Sequence, residues 1–419
     1  MGHTATEKIL AKHAHVKEVF PGEVVTCDVG FCMCHSPWFI DEHWKQYGKV
    51  LRVYDPEKIG FTLGHHLCLP SDDKTAQDVA FTREFAKKYN IRHVYDMGTG
   101  NGHILVIEKG HIYPGGLFIG ADSHSTIYGS IGSFGAAASI EYPEILITGK
   151  TWFRVPETVR ATLHGALTKG VAPRDVAQYL LSYIGSDGAL WQTLEFSGQF
   201  IRSIDVYQRM IFSLLAYEMG AVTGFIEADE TTLNFVRNRA RAPYEVVIDD
   251  ADCTYANEWD VNVSRIEPMI ACPPRAANSK TISEVESENI AVHQAFLGGC
   301  TGSSLGDFRM AAEVLKGQSL HPDVRLIVVP GTNEIAISMR KEGLTALFED
   351  LGAVISPPYC GPCQMVCYGN LGKNEVMIGT HPRNQVGRAG QNAGVYLGSP
   401  YSVAAAAVAG KIVDPRRYL

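Results

Sequence analysis

An α/β fold built from more than one compact unit follows from three features of the sequence. In the first 150 residues, short apolar runs at 50–54, 92–95, 104–107 and 117–119 alternate with glycine-marked turns and lead into a small-residue stretch at 132–138, which reads as a series of short strands. In the last third, runs at 325–329 and 352–355 read as strands. They alternate with helical patterns at 307–315 and 332–342, in βαβ order. The third feature is length: 419 residues exceed one hydrophobic core and predict two to three units of about 150 residues each.

Between these regions the period changes. Val176, Tyr179, Leu180 and Tyr183, and later Ile211, Leu214, Leu215 and Glu218, recur at three and four, so two or more helices are expected over 172–218. A mostly polar stretch at 268–283 holds Pro273 and Pro274, and the apolar pattern restarts at Val292. The expected boundary is therefore near residue 285, giving units 1–285 and 286–419. The alanine-rich 399–410 reads as a packed terminal helix.

Composition narrows the function classes. With 46% hydrophobic and 20% charged residues the chain is globular rather than disordered, and a net charge of −8 offers no basic footprint for a nucleic-acid backbone. The basic run at 237–241 reads as a solvated helix face. The N-terminus lacks an apolar signal core and no run reaches the roughly 20 residues a bilayer requires, so a cytoplasmic protein without membrane contact is expected. Ten cysteines in such a chain read as thiols or ligands rather than as a disulfide framework.

Cys360-Gly361-Pro362-Cys363 is a CxxC, open to reading as a redox dithiol, half a zinc site or a turn with two buried thiols. Cys300 lies in Gly298-Gly299-Cys300-Thr301-Gly302, a glycine-rich turn whose backbone amides face whatever its thiolate binds, a setting suited to an anion. Three thiolates at this spacing would leave one iron of a [4Fe-4S] cluster without a protein ligand, and such an iron is a Lewis acid. Cys367 sits in an apolar run at 365–368 and reads as buried. The other six cysteines show no ligand spacing.

The chain resembles the large subunits of 3-isopropylmalate dehydratase and homoaconitase within the aconitase superfamily. The likeness runs from Glu7-Lys8-Ile9-Leu10 to Asp414-Pro415-Arg416. It is carried by Gly120-Ala121-Asp122-Ser123-His124-Ser125, Gly149-Lys150-Thr151-Trp152-Phe153, Val155-Pro156-Glu157-Thr158, the CxxC and Arg383-Asn384-Gln385-Val386-Gly387-Arg388. The resemblance implies three-layer α/β/α units around a central cluster held by Cys300, Cys360 and Cys363, with most of the active-site histidines in the first unit. It also implies a hydro-lyase acting on a malate-type hydroxy di- or tricarboxylic acid. Asp122 and His124 would form an orienting pair, His65 would protonate the leaving hydroxyl, and His103 and Glu218 would complete the acid/base set. Ser123, Ser303, Ser304, Arg383 and Arg388 would contact substrate, a guanidinium being the group that clamps a carboxylate in bidentate fashion. The swivelling domain of aconitases is missing from the likeness, so a separate small subunit of roughly 160 to 200 residues is expected.

Three departures from the family pattern stand out. Gly64 replaces an aspartate before His65, so the carboxylate serving that imidazole must come from elsewhere, with Asp72 or Asp73 as candidates. Gly302-Ser303-Ser304 replaces an Asn-Gly-Arg run, and Leu214 replaces an asparagine. These losses point to a substrate other than isopropylmalate, citrate or homocitrate, or to a cluster-carrying regulatory protein that has lost catalysis. A different enzyme class is suggested by Asp96-Met97-Gly98-Thr99-Gly100-Asn101-Gly102, which resembles the nucleotide-binding loop of a methyltransferase. That loop should open a helix, and the sequence after Gly102 reads as strand and turn.

Overall fold

A computed structural model describes residues 2–35, 52–139, 141–363 and 367–419. It divides into two compact units, the first made of Met1–Met97, Gly102–Leu163 and Asp187–Val261, the second of Gly98–Asn101, His164–Ser186 and Asn262–Leu419.

The first unit is built on five parallel strands in the spatial order His93–Tyr95, Ile59–Thr62, Phe31–Cys34, Leu117–Gly120, Phe134–Ala137. The chain enters at the central strand Phe31–Cys34, steps outward twice on one side, then returns to pair Leu117–Gly120 with the strand it started from. At that reversal the loops leaving the two neighbouring strands diverge, which opens a crevice at their carboxyl ends. The crossover helix Asp73–Lys88 begins where the Asp72 carboxylate accepts the Thr75 N–H at 2.8 Å, ends on Lys87 and Lys88, and buries Val79, Phe85 and Ala86. Phe85 meets Phe61 edge-on in a core that also holds Ile119, Phe134 and Leu146.

The run at 104–107 is a helix, not the expected strand. Helix Gly102–Glu108 is buried at every position, so its unbroken apolar character reflects burial on all sides, and periodicity alone does not separate that case from a buried strand. Of the expected strand at 50–54, Val50 and Leu51 lie outside the described residues, and 52–54 form no strand. Two smaller sheets complete the unit. Thr223–Phe225, Thr193–Ser197, Thr158–His164 and Asn257–Asn262 form one, and Val24–Asp28 pairs antiparallel with Lys150–Arg154 in the other.

Helix Val206–Leu215 starts in a capping box, with Asp205 accepting the Gln208 N–H at 2.9 Å. Its fully buried Arg209 is held by both oxygens of Asp229 at 2.7 and 2.6 Å. The helix end is tied to the 3-10 helix Ser123–Ile131, whose Thr126 hydroxyl donates to the Leu214 carbonyl at 3.3 Å. Gly129 in that 3-10 helix lies against strand Thr223–Phe225, where a Cβ would stand 2.0 Å from the Gly224 carbonyl oxygen.

The second unit carries seven strands in the order Ser279–Thr281, Met269–Ala271, Gly394–Leu397, Val376–Gly379, Gln294–Leu297, Arg325–Val328, Val354–Ile355. The last five are parallel. They repeat the plan of the first unit: entry at Gln294–Leu297, two steps outward, then return to Val376–Gly379 beside the entry strand. The polar stretch at 268–283 is no linker, because its two strands pair antiparallel and extend this sheet, and the last segment of the unit begins at Asn262. Helix Pro173–Ile184 also belongs here, with buried Asp175 accepting the Ala172 and Met269 N–H groups at 2.8 and 2.9 Å. Helices Leu305–Leu315, Asn333–Lys341 and Pro400–Ala409 lie where the sequence placed them. No helix among the described residues is long and apolar enough to cross a membrane.

Gly129→Ala should force the 3-10 helix off its neighbouring strand and destabilise the protein by about 1 to 3 kcal/mol, as overpacking does. Denaturant unfolding of the variant measures the loss, which would be absent if the backbone yielded freely.

Candidate active site

The crevice of the first unit gathers His35, His103 and His124 around the Asp122 carboxylate. Asp122 follows Leu117–Gly120 and His35 follows Phe31–Cys34, so the reversal in strand order brings the two loops together. One oxygen of Asp122 accepts from His103 Nε2 at 2.9 Å and from the His124 backbone N–H at 2.8 Å, and the other lies 2.8 Å from His35 Nε2. Burial alone would raise this carboxyl, but the His35 and His103 imidazoles hold it well below the usual carboxylate range. His124 Nε2 lies 3.1 Å from Glu218 Oε1, placed by the short 3-10 turn Tyr217–Met219 after helix Val206–Leu215. Ser123, half-buried, opens the 3-10 helix that Asp122 caps.

His65 lies just beyond strand Ile59–Thr62, and its Nδ1 accepts the Gly102 N–H at 2.9 Å. The neutral ring therefore carries its proton on Nε2. Burial and the neighbouring His66, His35 and His103 rings push its pKa well below the ordinary histidine value. His35, His65 and His66 pack with ring centres 4.4 to 4.8 Å apart. Asp72 does not serve His65, since its carboxylate caps helix Asp73–Lys88. The carboxylate that raises His65 is Asp122, although burial and the neighbouring histidines outweigh it.

The second unit gathers the three cysteines. Cys300 follows strand Gln294–Leu297, and Cys360 and Cys363 follow Val354–Ile355. All three are buried, at 4, 2 and 3% exposure. Cys360 hydrogen-bonds to both Cys300 and Cys363, which raises its thiol well above the usual range. Cys363 is lowered, first by the Cys360 contact and then by Arg388, whose Nη2 donates to Cys363 Sγ at 3.4 Å. Cys367 is also buried, while Met365 of its apolar run lies outside the described residues.

Loop 298–302 is laced to the adjacent strand end by Thr380. Its hydroxyl pairs with the Gly298 N–H and carbonyl, each at 2.8 Å, and with the Gly302 carbonyl at 3.3 Å. A Cβ on Gly302 would stand 2.1 Å from Thr380 Cβ, so no side chain fits at this departure from the family pattern. Ser303 is buried and its hydroxyl has no partner among the described residues. Ser304 caps helix Leu305–Leu315 and donates to Asp307 at 2.7 Å, which engages its hydroxyl in the fold. Arg383 is half-buried, and Leu214 is fully buried in the first unit.

Three residues escaped the sequence reading: His35, Asn101 and His381. Asn101 Nδ2 donates to Cys300 Sγ at 3.0 Å, and its backbone N–H donates to the Gly331 carbonyl at 2.7 Å. Loop 98–101, weighed above as a nucleotide-binding turn, thus serves the cysteine site, and Gly100 is required because a Cβ would meet the Gly331 oxygen at 2.7 Å. The helix expected to be missing after Gly102 is present but only seven residues long. His35 had no spacing signal, because its relation to Asp122 depends on the order of strands. His381 lies two residues beyond strand Val376–Gly379, fully buried, and burial with the Arg388 and Arg174 guanidinium groups pushes its pKa well below the ordinary histidine value, against a hydrogen bond to the Arg383 backbone.

A family model described as the aconitase family (aconitate hydratase) matches residues 65–410. The chain is 40% identical to a protein of Hydrogenobaculum sp. (strain Y04AAS1) named 3-isopropylmalate dehydratase large subunit, over 99% of this chain and 98% of that protein. Proteins named 3-isopropylmalate dehydratase large subunit 1 match similarly. The one from Pyrococcus furiosus is 41% identical over 99% and 98%, and the one from Methanopyrus kandleri is 39% identical over the full length of both. The solved holo-form of Thermococcus kodakaraensis aconitase X aligns over 86% of this chain and 84% of its own at 11% identity and a TM-score of 0.49, a likeness too slight to bear on function.

Asp122 has a folded pKa depressed below its ordinary value of 3.8, so the stability it contributes is present above about pH 3.8 and is lost as pH falls through the lower folded value. Asp122→Asn should therefore flatten the acid limb of the stability curve in denaturant unfolding between pH 5 and the acid limit. An unchanged limb would mean that the carboxylate is not held by its imidazole partners.

Proposed function

Because the chain belongs to the aconitase family, we propose that it is the large subunit of an iron-sulfur hydro-lyase that adds or removes water on a malate-type hydroxy di- or tricarboxylic acid. The observation that carries this reading is the set of three buried thiols in mutual contact, with an amide and a guanidinium donating to their sulfurs. Such a set suits three thiolates better than three neutral thiols, and glycine-rich turns leave backbone amides free to face an anion. Cys300, Cys360 and Cys363 fit as holders of a [4Fe-4S] cluster. When bound, the cluster supplies Lewis-acid chemistry to the substrate hydroxyl and carboxylate through the iron without a thiolate.

The remaining steps belong to side chains. His65 protonates the leaving hydroxyl from its imidazolium form and returns to the neutral ring whose Nδ1 accepts the Gly102 N–H. Asp122 fixes His103 by accepting its N–H and orients His124 through the backbone, while Glu218 holds the His124 ring from the other side. His103 and His124 are then positioned to handle water and protons without tautomer exchange. Arg383 and Arg388 bind substrate carboxylate, and the unpartnered Ser303 hydroxyl and Ser123 supply neutral contacts. With Gly302 closed off by Thr380, Ser304 engaged as a cap and Leu214 apolar, one guanidinium and two amides of the family pattern have no counterpart. The preferred acid therefore differs from isopropylmalate, citrate and homocitrate. The reaction's general base comes from a swivelling domain on a separate small subunit, and the complex works in the cytoplasm.

Reconstitution with the small subunit should give turnover of one or a few substituted malates or maleates, read by the absorbance of the conjugated alkene, whereas the large chain alone should be inactive. His65→Asn in the complex should lower kcat by about 10² to 10⁴-fold. Activity should fall in air and return with ferrous iron and a reductant. Turnover by the isolated chain at ordinary enzyme rates would contradict the two-subunit reading, and indifference to air and iron would contradict the cluster chemistry.

A further inference from the structure

Asn101 is fully buried, and its side-chain amide nitrogen lies 3.0 Å from Cys300 Sγ. Taking a primary amide out of water costs free energy that a hydrogen bond must offset. A neutral thiol is a weak acceptor and offsets little, whereas an anionic acceptor makes a charge-assisted bond roughly twice as strong as a neutral one. The amide at this position is therefore matched to a Cys300 that carries negative charge, as a metal-bound cysteine does. A thiolate offers lone pairs only, so the nitrogen of the amide is the end that can face it.

The backbone around Asn101 holds the amide in place. Its own N–H donates to the Gly331 carbonyl at 2.7 Å, and the Gly331 N–H donates to the Ser303 carbonyl at 3.0 Å, three residues beyond Cys300. The frame closes on itself, because Asn101 reaches Gly331 through its backbone and Cys300 through its side chain. The Asn333 N–H donates to the Thr99 carbonyl at 3.1 Å, and Gly100 forms an antiparallel bridge with Thr332. Gly100 has φ +144°, and a Cβ there would stand 2.7 Å from the Gly331 oxygen and 2.9 Å from Thr332 Cα, so this approach requires glycine. Thr332 caps helix Asn333–Lys341, its hydroxyl accepting the Ile335 N–H at 3.4 Å, which ties the frame to a regular element.

Gly98–Asn101 is part of the second unit, while Met97 and Gly102 are part of the first. It is these contacts, and not the chain on either side, that place the segment. A fold that fixes four residues so closely beside a cysteine is spending their order on the sulfur they reach.

We propose that Asn101 is a positioning residue for the iron-sulfur cluster: its side-chain N–H donates to the Cys300 thiolate, and thereby raises the cluster's reduction potential and slows its loss of iron. A donor draws electron density from the sulfur, which stabilises the more negative, reduced cluster and makes the oxidation that releases iron harder. The amide is neutral, so it does this without adding a charge beside the Arg388 guanidinium, which donates to Cys363 Sγ at 3.4 Å. The inference rests on the cluster reading above.

The test uses the large chain with its small subunit, purified without oxygen, in wild-type, Asn101→Leu and Asn101→Asp forms. Iron and sulfide contents come first, and a wild-type complex without them would overturn the cluster reading and this inference with it. With the cluster present, an EPR-monitored redox titration should give a more negative midpoint for Asn101→Leu, which keeps the size of the side chain and removes the donor. The Fe–S stretching bands of its thiolate ligands should move to higher frequency in resonance Raman spectra, and the variant should convert to the three-iron form several-fold faster in air. Pulsed EPR of the reduced wild-type complex labelled with ¹⁵N in the asparagine side-chain amide should show a nitrogen coupling that Asn101→Asp lacks, a readout that does not depend on the leucine variant folding. A midpoint unmoved in Asn101→Leu at wild-type iron content, or a ¹⁵N coupling unchanged in Asn101→Asp, would overturn the proposal.

Discussion

The reversal of strand order in a parallel sheet is the constraint on which the side-chain cluster of each unit depends. When a chain leaves a central strand, moves outward, and then returns to the other side of that strand, the two neighbouring loops must diverge, and the gap between their carboxyl ends stays open. Each unit makes this move once. In the first it sets His35 beside Asp122, in the second it sets the Cys300 turn beside Thr380 and His381. The two five-stranded parallel arrangements share one strand order, so a single backbone plan serves an imidazole-carboxylate cluster in one unit and a thiol cluster in the other.

Within each crevice, charge is managed by donation from groups the fold fixes elsewhere. Asp122 is desolvated, and it stays ionised because two imidazoles and a backbone amide donate to it. Crowding of histidines keeps His65 neutral, and the Gly102 amide selects its tautomer. Among the cysteines, Asn101 and Arg388 take the corresponding role. Glycines at 100, 102, 299, 302 and 379 let backbone and side chains approach to distances a Cβ would forbid, which explains much of the glycine content in these loops.

The sequence made the cysteine site legible because ligand spacing and glycine turns are local signals. It made the alternation of strands and helices legible wherever a face was exposed, as in helix Asn333–Lys341. It misread Gly102–Glu108, since a helix buried on every side has no polar face to reveal its period. The role of Asn101 was invisible because loop 98–101 reaches Cys300 across 199 positions of sequence. His35 and His381 were hidden for the same kind of reason: each matters through the strand beside it, and strand order is not written locally. The glycine at 64 suggested a missing carboxylate, and the structure instead surrounds His65 with imidazoles tied to Asp122.

Mössbauer spectroscopy of the anaerobically purified, ⁵⁷Fe-labelled chain tests the central claim most directly. Three cysteine-ligated irons and one iron without a thiolate should appear as a [4Fe-4S] spectrum in which one site is distinct and shifts when a hydroxy-acid substrate is added. Stoichiometric zinc with no iron or sulfide, or four equivalent irons indifferent to every acid, would contradict the account.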